Sequence, residues 1–166
     1  PMVFRGVVWG GDPLSFPWQV VPMTSLDHGV VKRIEEIEEK AFGPAGVDRW
    51  SIPLFVNHGR LYLLRDEEQI IGVARFMRNW DDPNTVFLYG FSIDGAWRGQ
   101  GLGTYFFSRI LELLREDKVE RGQLTVDPAN ARAIGLYEKL GFKKQRLLTA
   151  FYGPGVDRWL MEYTWD

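Results

Sequence analysis

The chain of 166 residues contains no cysteine. That absence excludes disulfides, thiolate metal sites and any acyl-cysteine intermediate. It is compatible with a reducing cytosol, and a cytoplasmic location is the expectation. No apolar run reaches the ~20 residues of a membrane span, and no signal-like start is visible. Charge of neither sign dominates. The formal net charge of -2 gives no case for a nucleic-acid partner. Histidine is scarce: His28 and His58 have no His, Cys or carboxylate at ligand spacing, so no metal is expected. The chain opens at Pro1, which leaves room for a removed initiator Met or a longer leader. A chain of this length buries roughly 70% of its unfolded surface without a staple. A single domain over residues 1–166 is expected, with residues 1–17 as an N-terminal extension.

Glycine, in contrast, is concentrated where it carries chemistry. Arg98-Gly99-Gln100-Gly101-Leu102-Gly103-Thr104 lies between a predicted strand, Val86 to Ile93, and a predicted helix, Thr104 to Glu116. Backbone without Cβ atoms can curl there, with successive N–H groups facing one concavity. The helix that follows adds unpaired N–H groups and the positive end of its dipole. This is an anion cradle of pyrophosphate size. It is not a Walker loop, which ends in Gly-Lys-Ser/Thr, nor a dinucleotide fingerprint, whose third glycine would fall on Thr104 or Phe106.

A second pattern follows the strand Gln123 to Val126. Asn130-Ala131-Arg132-Ala133-Ile134-Gly135-Leu136-Tyr137-Glu138-Lys139-Leu140-Gly141-Phe142 reads N-x-x-A-x-x-L-Y-x-x-x-G-F. With Arg-x-x-Gly-x-Gly and the order strand, loop, helix, strand, Asn, helix with Tyr, Gly-Phe, strand, it resembles the GNAT N-acetyltransferase family. Residues 86–142 are then the acetyl-CoA-binding core. The resemblance implies an α/β (α+β) GNAT fold: a mixed, mostly antiparallel sheet of six to seven strands with helices on both faces.

It also implies roles. Arg98, Gly99, Gln100, Gly101, Leu102, Gly103 and Thr104 would hold the pyrophosphate of acetyl-CoA, the co-substrate. The strand carrying Phe91, Ser92 and Ile93 would splay from its neighbour and pair with the pantetheine arm, as an added strand does. A backbone N–H near Phe91 would serve the oxyanion. Asn130 would cap its helix or touch the pantetheine arm. Tyr137 would bind the cofactor and act as general acid toward the leaving thiolate. The plain structural reading of Tyr137 is a core aromatic, since it shares a helix face with Ala133 and Leu140.

Within the family, Ile34-Glu35-Glu36 with Ala41-Phe42, and the tail from Tyr152 to Met161, look like the bacterial ribosomal-protein N-terminal acetyltransferases. That subfamily places a Glu where this chain has Thr125. Many family members also carry a carboxylate on the central strand, which here reads Phe87-Leu88-Tyr89-Gly90. The general base is therefore open between a water chain to Asp127, Glu35 or Asp94 and the Tyr89 hydroxyl. Three functions compete. One is acetyl transfer to a primary amine by direct attack in a ternary complex. The second is a non-catalytic acyl-CoA-binding module. The third is a hydrolytic or longer-chain acyl variant on the same fold.

The rest of the chain supplies elements around this core. Val3 to Trp9 reads as an extra strand and Trp18 to Val21 as the first family-like strand. Ser25 or Asp27 caps a helix that runs to Ala41 and stops at Gly43-Pro44. A short helix follows over Val47 to Asn57. Leu61 to Leu64 and Ile70 to Met77 read as a hairpin. Phe142 to Tyr152 and Trp159 to Trp165 close the sheet. Glu35, Glu36, Glu38 and Glu39 are expected on a solvated helix face. Gly43-Pro44-Ala45-Gly46-Val47-Asp48-Arg49-Trp50 is echoed by Gly153-Pro154-Gly155-Val156-Asp157-Arg158-Trp159. Reuse of a Gly-Pro turn accounts for this; two Asp-Arg-Trp elements shaping one acceptor pocket is the sharper alternative. Trp50, Trp80, Trp97 and Trp159 lie in or beside loops, where they suit an acceptor pocket or the face of a homodimer.

Overall fold

The computed structural model describes residues 2–4, 7–9 and 17–165. Two short strands, β1 (Met2–Phe4) and β2 (Val7–Trp9), pair antiparallel with each other. The single strand expected from Val3 to Trp9 is thus two, with residues 5 and 6 outside the described ones. The remaining elements are β3 (Gln19–Pro22), α1 (His28–Phe42), α2 (Ser51–His58), β4 (Arg60–Arg65), β5 (Ile70–Arg78), β6 (Thr85–Ile93), α3 (Leu102–Glu116), β7 (Arg121–Val126), α4 (Ala131–Leu140), β8 (Lys143–Leu148) and β9 (Arg158–Thr164). Seven strands form one mixed sheet in the order β3-β4-β5-β6-β7-β9-β8. The α/β expectation and the strand number hold.

The chain groups into two compact units. One holds residues up to Met77 together with Tyr89–Ile110, and the other holds Arg78–Leu88 with the residues from Leu111 onward.

In the first unit, Asp27 caps α1 by accepting from the Val30 N–H at 3.0 Å. Ile34 and Ile37 then fall on one side of α1 at helical spacing. They pack with Ile52 and Phe55 of α2, Met23, Leu61 and Leu63 of β4, and Val73 of β5. Each such side chain contributes about 1.5–3 kcal/mol by leaving water. Pro44–Gly46 forms a 3-10 turn and α2 starts only at Ser51, later than expected. Pro53 sits in the first turn of α2, where its missing N–H leaves no helical bond unmade.

Glu38 departs from expectation. It is buried (5% exposed) rather than solvated, because Arg75 of β5 is buried as well (3% exposed) and the two form an ion pair. A charge inside the otherwise apolar run Ile70 to Met77 requires such a partner.

In the second unit, β6 begins parallel to β7 through Thr85↔Arg121, Val86↔Gly122 and Phe87↔Gln123. Strand β9 pairs antiparallel with β7 on one side and with β8 on the other. Strand β8 ends at Leu148, four residues short of the expected Tyr152. Ala150 already has φ +53°, which breaks the extended run. Helix α4 ends at Gly141, whose φ of +104° lets the Gly141 and Phe142 N–H groups return to the last turn. An L side chain rarely adopts that angle, which gives the Gly-Phe motif its physical reason. Phe142 is thereby turned inward against Tyr137 and Tyr163, with ring centroids 5.9 and 5.5 Å apart.

Candidate functional site

The glycine-rich loop lies in the first unit. Gly99 and Gly101 have φ of +80° and +76°, the left-handed region in which glycine carries no steric cost. A Cβ built on Gly99 meets nothing within 4 Å, so that position faces open space. Helix α3 begins at Leu102, two residues before the expected Thr104. Leu102, Gly103 and Thr104 therefore form its first turn, where N–H groups have no partner within the helix. The helix end and the two left-handed glycines together form a nest suited to a polyphosphate.

The segment leading into the loop is held firmly. Asp94 follows β6 directly, and its backbone N–H donates to Ile71 O at 2.7 Å. Its side chain caps the 3-10 turn Gly95–Trp97 by accepting from the Ala96 N–H at 3.0 Å. Arg33 of α1 donates to Asp94 Oδ2 at 2.6 Å and, through Nε, to Ile70 O at 2.9 Å. Burial by itself would raise the Asp94 pKa. The Arg33 hydrogen bond, the Ala96 N–H and the Arg33 charge outweigh it and hold the carboxyl below its ordinary value. A carboxylate stabilised in this way is a poor proton acceptor, so Asp94 drops out as a base. Trp97 packs edge-on against Trp18 at 4.9 Å, and the Tyr105 hydroxyl donates to Trp18 O at 2.9 Å. Trp97 thus braces the loop instead of lining an acceptor pocket.

Strand β6 carries the expected residues Phe91, Ser92 and Ile93. Ser92 and Ile93 are buried, while Phe91 packs on Phe106 and Phe107 at 5.4 and 5.1 Å. Their side chains belong to the core, which leaves only their backbone for a ligand. The β6–β7 ladder runs through Phe87, and β6 continues beyond it to Ile93.

Tyr89 stands two residues before Phe91 and is 47% exposed. Its hydroxyl donates to Asp48 Oδ2 at 3.0 Å. Asp48 in turn is tied to Ser51, the first residue of α2: its Oδ1 accepts from the Ser51 N–H and its carbonyl from the Ser51 hydroxyl. Arg75 donates to the Ser51 hydroxyl and lies 5.6 Å from the centre of the Tyr89 ring and 5.9 Å from that of Phe55. Burial, then the hydrogen bond to Asp48, push the Tyr89 phenol above its ordinary pKa. Glu35 pairs with Arg49 at 3.7 Å. Trp50 and Leu54 beside this cluster are 82% and 59% exposed.

The second unit carries Asn130 and Tyr137. Asn130 caps α4, with Oδ1 accepting from the Ala133 N–H at 3.1 Å. Tyr137 is 9% exposed, and burial pushes its phenol up to about 12. It therefore stays protonated across the whole neutral range. Asp127 closes a turn by accepting from the Ala129 N–H at 2.9 Å. Asp157, the counterpart of Asp48 in the sequence echo, accepts from the Ala150 N–H at 2.8 Å. The two copies of the echo build different local structures, a helix start and a strand-to-strand turn. Trp80 is 98% exposed, and Trp159 carries the Lys144 ammonium 5.2 Å from its ring centre.

Comparison with known proteins agrees with the loop and with the element order. Residues 28–142 match the acetyltransferase (GNAT) family. The chain belongs to the GNAT acetyltransferase family. The mycothiol acetyltransferase of Beutenbergia cavernae is 35% identical over 82 residues, 49% of this chain and 28% of that protein. The match thus spans well under half the length of that relative. The [ribosomal protein bS18]-alanine N-acetyltransferase of Escherichia coli is 30% identical over 109 residues, 65% of this chain and 73% of that protein. The crystal structure of that Escherichia coli enzyme superposes with a TM-score of 0.73 at 19% identity, covering 89% of this chain and 93% of its own. The yncA protein of Salmonella typhimurium, solved with its cofactor acetyl-CoA, gives 0.71 at 20% identity over 91% and 95%.

Among GNAT features of this chain, the sequence located the loop, Asn130 and Tyr137. It missed the Arg33–Asp94 brace and the Glu38–Arg75–Ser51–Asp48–Tyr89 chain of contacts. The one visible signal for the second was Arg75 itself, a lone charge in an apolar strand.

Proposed function

We propose that the protein is an acetyl-CoA-dependent N-acetyltransferase acting on a primary amine. The observation that carries this reading is the loop from Arg98 to Thr104, with two left-handed glycines opening into the first turn of α3. Backbone N–H groups of Gly99 to Thr104 hold the pyrophosphate, with the Arg98 side chain adding a charge-assisted contact. The backbone of Phe91, Ser92 and Ile93 pairs with the pantetheine arm. This needs no side-chain contact and fits the burial of Ser92 and Ile93 and the packing of Phe91 on Phe106 and Phe107.

The amine nitrogen attacks the thioester carbonyl carbon. The oxyanion that forms is stabilised by a backbone N–H near Phe91. As the C–S bond breaks, the Tyr137 phenol donates to the sulfur, while the nitrogen loses its proton to give the amide. Direct transfer fits a chain without cysteine. Asn130, its Oδ1 used by the cap, has its amide nitrogen to offer the pantetheine arm. The acceptor is a small-molecule or peptide amine, and the bS18-alanine enzyme among the relatives makes a peptide N-terminus one of the classes to test.

The test is thiol release from acetyl-CoA with a panel of a polyamine, an aminoglycoside, a lysine peptide and N-terminal peptides, beside a no-acceptor control. Acceptor-dependent release supports the transferase. A rise in melting temperature with acetyl-CoA but no release on any acceptor favours a binding module. Neither response removes the phosphate reading of the loop.

A further inference from the structure

An amine that attacks a carbonyl must lose a proton, and β6 itself carries no carboxylate to take it. What stands there instead is Tyr89, half-exposed, with its hydroxyl hydrogen already committed to Asp48 Oδ2. This arrangement has three useful properties. First, a phenol that donates to a carboxylate turns its oxygen lone pairs outward and becomes a better acceptor. Second, the group is rigid. The ring is packed on Phe55 at 4.9 Å and on the Arg75 guanidinium, and Asp48 is fixed at both ends by Ser51. Third, the charges around it cancel except at Asp48. Arg75 is paired with Glu38 and Arg49 with Glu35, which leaves Asp48 without an ion-pair partner among the described residues of this cluster. Strand geometry places Tyr89 about 7 Å along β6 from Phe91, within the reach of an amine bound beside the thioester.

We propose that Tyr89 and Asp48 form the proton exit for the acceptor amine. This rests on the transferase reading above. As the N–C bond forms, the nitrogen becomes cationic and acidic. Its proton passes to Tyr89 Oη while the phenol's own proton passes to Asp48 Oδ2. The carbonyl carbon then expels the sulfur, which takes the proton of Tyr137; Asp48 releases its proton to water, and the Tyr137 phenolate regains one from water. Tyr89 is the catalytic residue because it touches the amine. Asp48 is a positioning residue that acts through it. The phenol cannot serve alone, since burial and Asp48 keep it protonated. Glu38 and Arg75 are the other charged groups facing the ring.

The experiment compares wild type, Tyr89→Phe, Asp48→Asn and Asp48→Glu, using the acceptor from the panel with the fastest thiol release. Phenylalanine keeps the ring packing, and asparagine keeps a side-chain oxygen to accept from the Ser51 N–H. Tyr89→Phe is expected to lower kcat by ~10²-fold, the scale of lost acid–base assistance, with acetyl-CoA binding unchanged by thermal shift. Asp48→Asn is expected to lower kcat by ~10-fold or more and to displace the acidic limb of the kcat/KM profile. Asp48→Glu should recover part of the loss. Wild-type kcat in Tyr89→Phe, or an unmoved acidic limb in Asp48→Asn, overturns the relay alone. Equal loss of acetyl-CoA binding in Tyr89→Phe assigns the residue to packing and overturns it too. A wild-type protein that releases no thiol overturns the transferase reading and the relay with it.

Discussion

The buried pair Glu38–Arg75 allows a sharp test of how this fold is held together. Glu38→Met keeps the side-chain length and removes the carboxylate. Arg75 would then be a guanidinium in a site where it is 3% exposed, left with the Ser51 hydroxyl and the faces of Phe55 and Tyr89. Those ring contacts offset about 0.5–2 kcal/mol. Losing one partner of a buried pair costs about 3–5 kcal/mol, because the surviving charge is neither hydrated nor matched. For a chain of this size, each kcal/mol lowers the melting temperature by roughly 2–4 °C, so a fall of about 6–20 °C is expected. The double variant Glu38→Met with Arg75→Met removes both desolvation costs and should regain most of the loss, ending near wild type or above it. Urea unfolding of all four proteins gives the coupling energy directly. If the single variant melts within about 2 °C of wild type, or if the double variant is destabilised by the sum of the singles, the pair is not the buried charge couple described. The double variant should also show slower acetyl transfer with unchanged acetyl-CoA binding, since Arg75 supports Ser51 and the Tyr89 ring.

Three further outcomes are expected. Gly99→Val places a β-branched residue at φ +80° and should weaken acetyl-CoA at least ~10-fold, from the ~1–2 kcal/mol of left-handed strain together with crowding of the cradle, as read by the KM for acetyl-CoA at unchanged acceptor KM. Asp94 has a lowered folded pKa, so its contribution is complete above the unfolded value of ~3.9 and is lost as pH falls through the lower folded one. Melting of Asp94→Asn should accordingly be lower than wild type at pH 7 and fall less steeply below about pH 4. Tyr137 has the opposite sign: its neutral form is favoured in the folded state, so stability is retained below pH ~10 and lost as pH rises toward about 12. The difference of about two units from ~10 amounts to roughly 3 kcal/mol, and Tyr137→Phe should flatten that alkaline loss while reducing turnover ~10²-fold without weakening acetyl-CoA.

Several elements were legible because their causes are local. The Gly99 and Gly101 turn, the Asn130 cap and the Gly141 helix end each depend on a few neighbouring residues, and the angles and bonds found there match that reading. The periodicity of Ile34 and Ile37 gave the buried face of α1 for the same reason. Local pattern failed where a distant partner decides. Glu35, Glu36, Glu38 and Glu39 look alike along the helix, yet Glu38 is the buried one because Arg75 waits on β5. Asp94 was a candidate base until Arg33, far off in sequence, proved to hold it.

The glycine-rich turn, the helix carrying Tyr137 and the resemblance to the GNAT family were readable from the chain alone. Each is written in consecutive residues whose backbone angles and spacing follow from side-chain type. Which carboxylates are buried, braced or available depends on packing between distant segments, as does the placing of β9 between β7 and β8. Such packing also brought Asp48, at the start of a helix, to the hydroxyl of Tyr89 in mid-strand. Such pairings depend on through-space distances between segments, set by how apolar faces pack, and no local spacing in the chain encodes them.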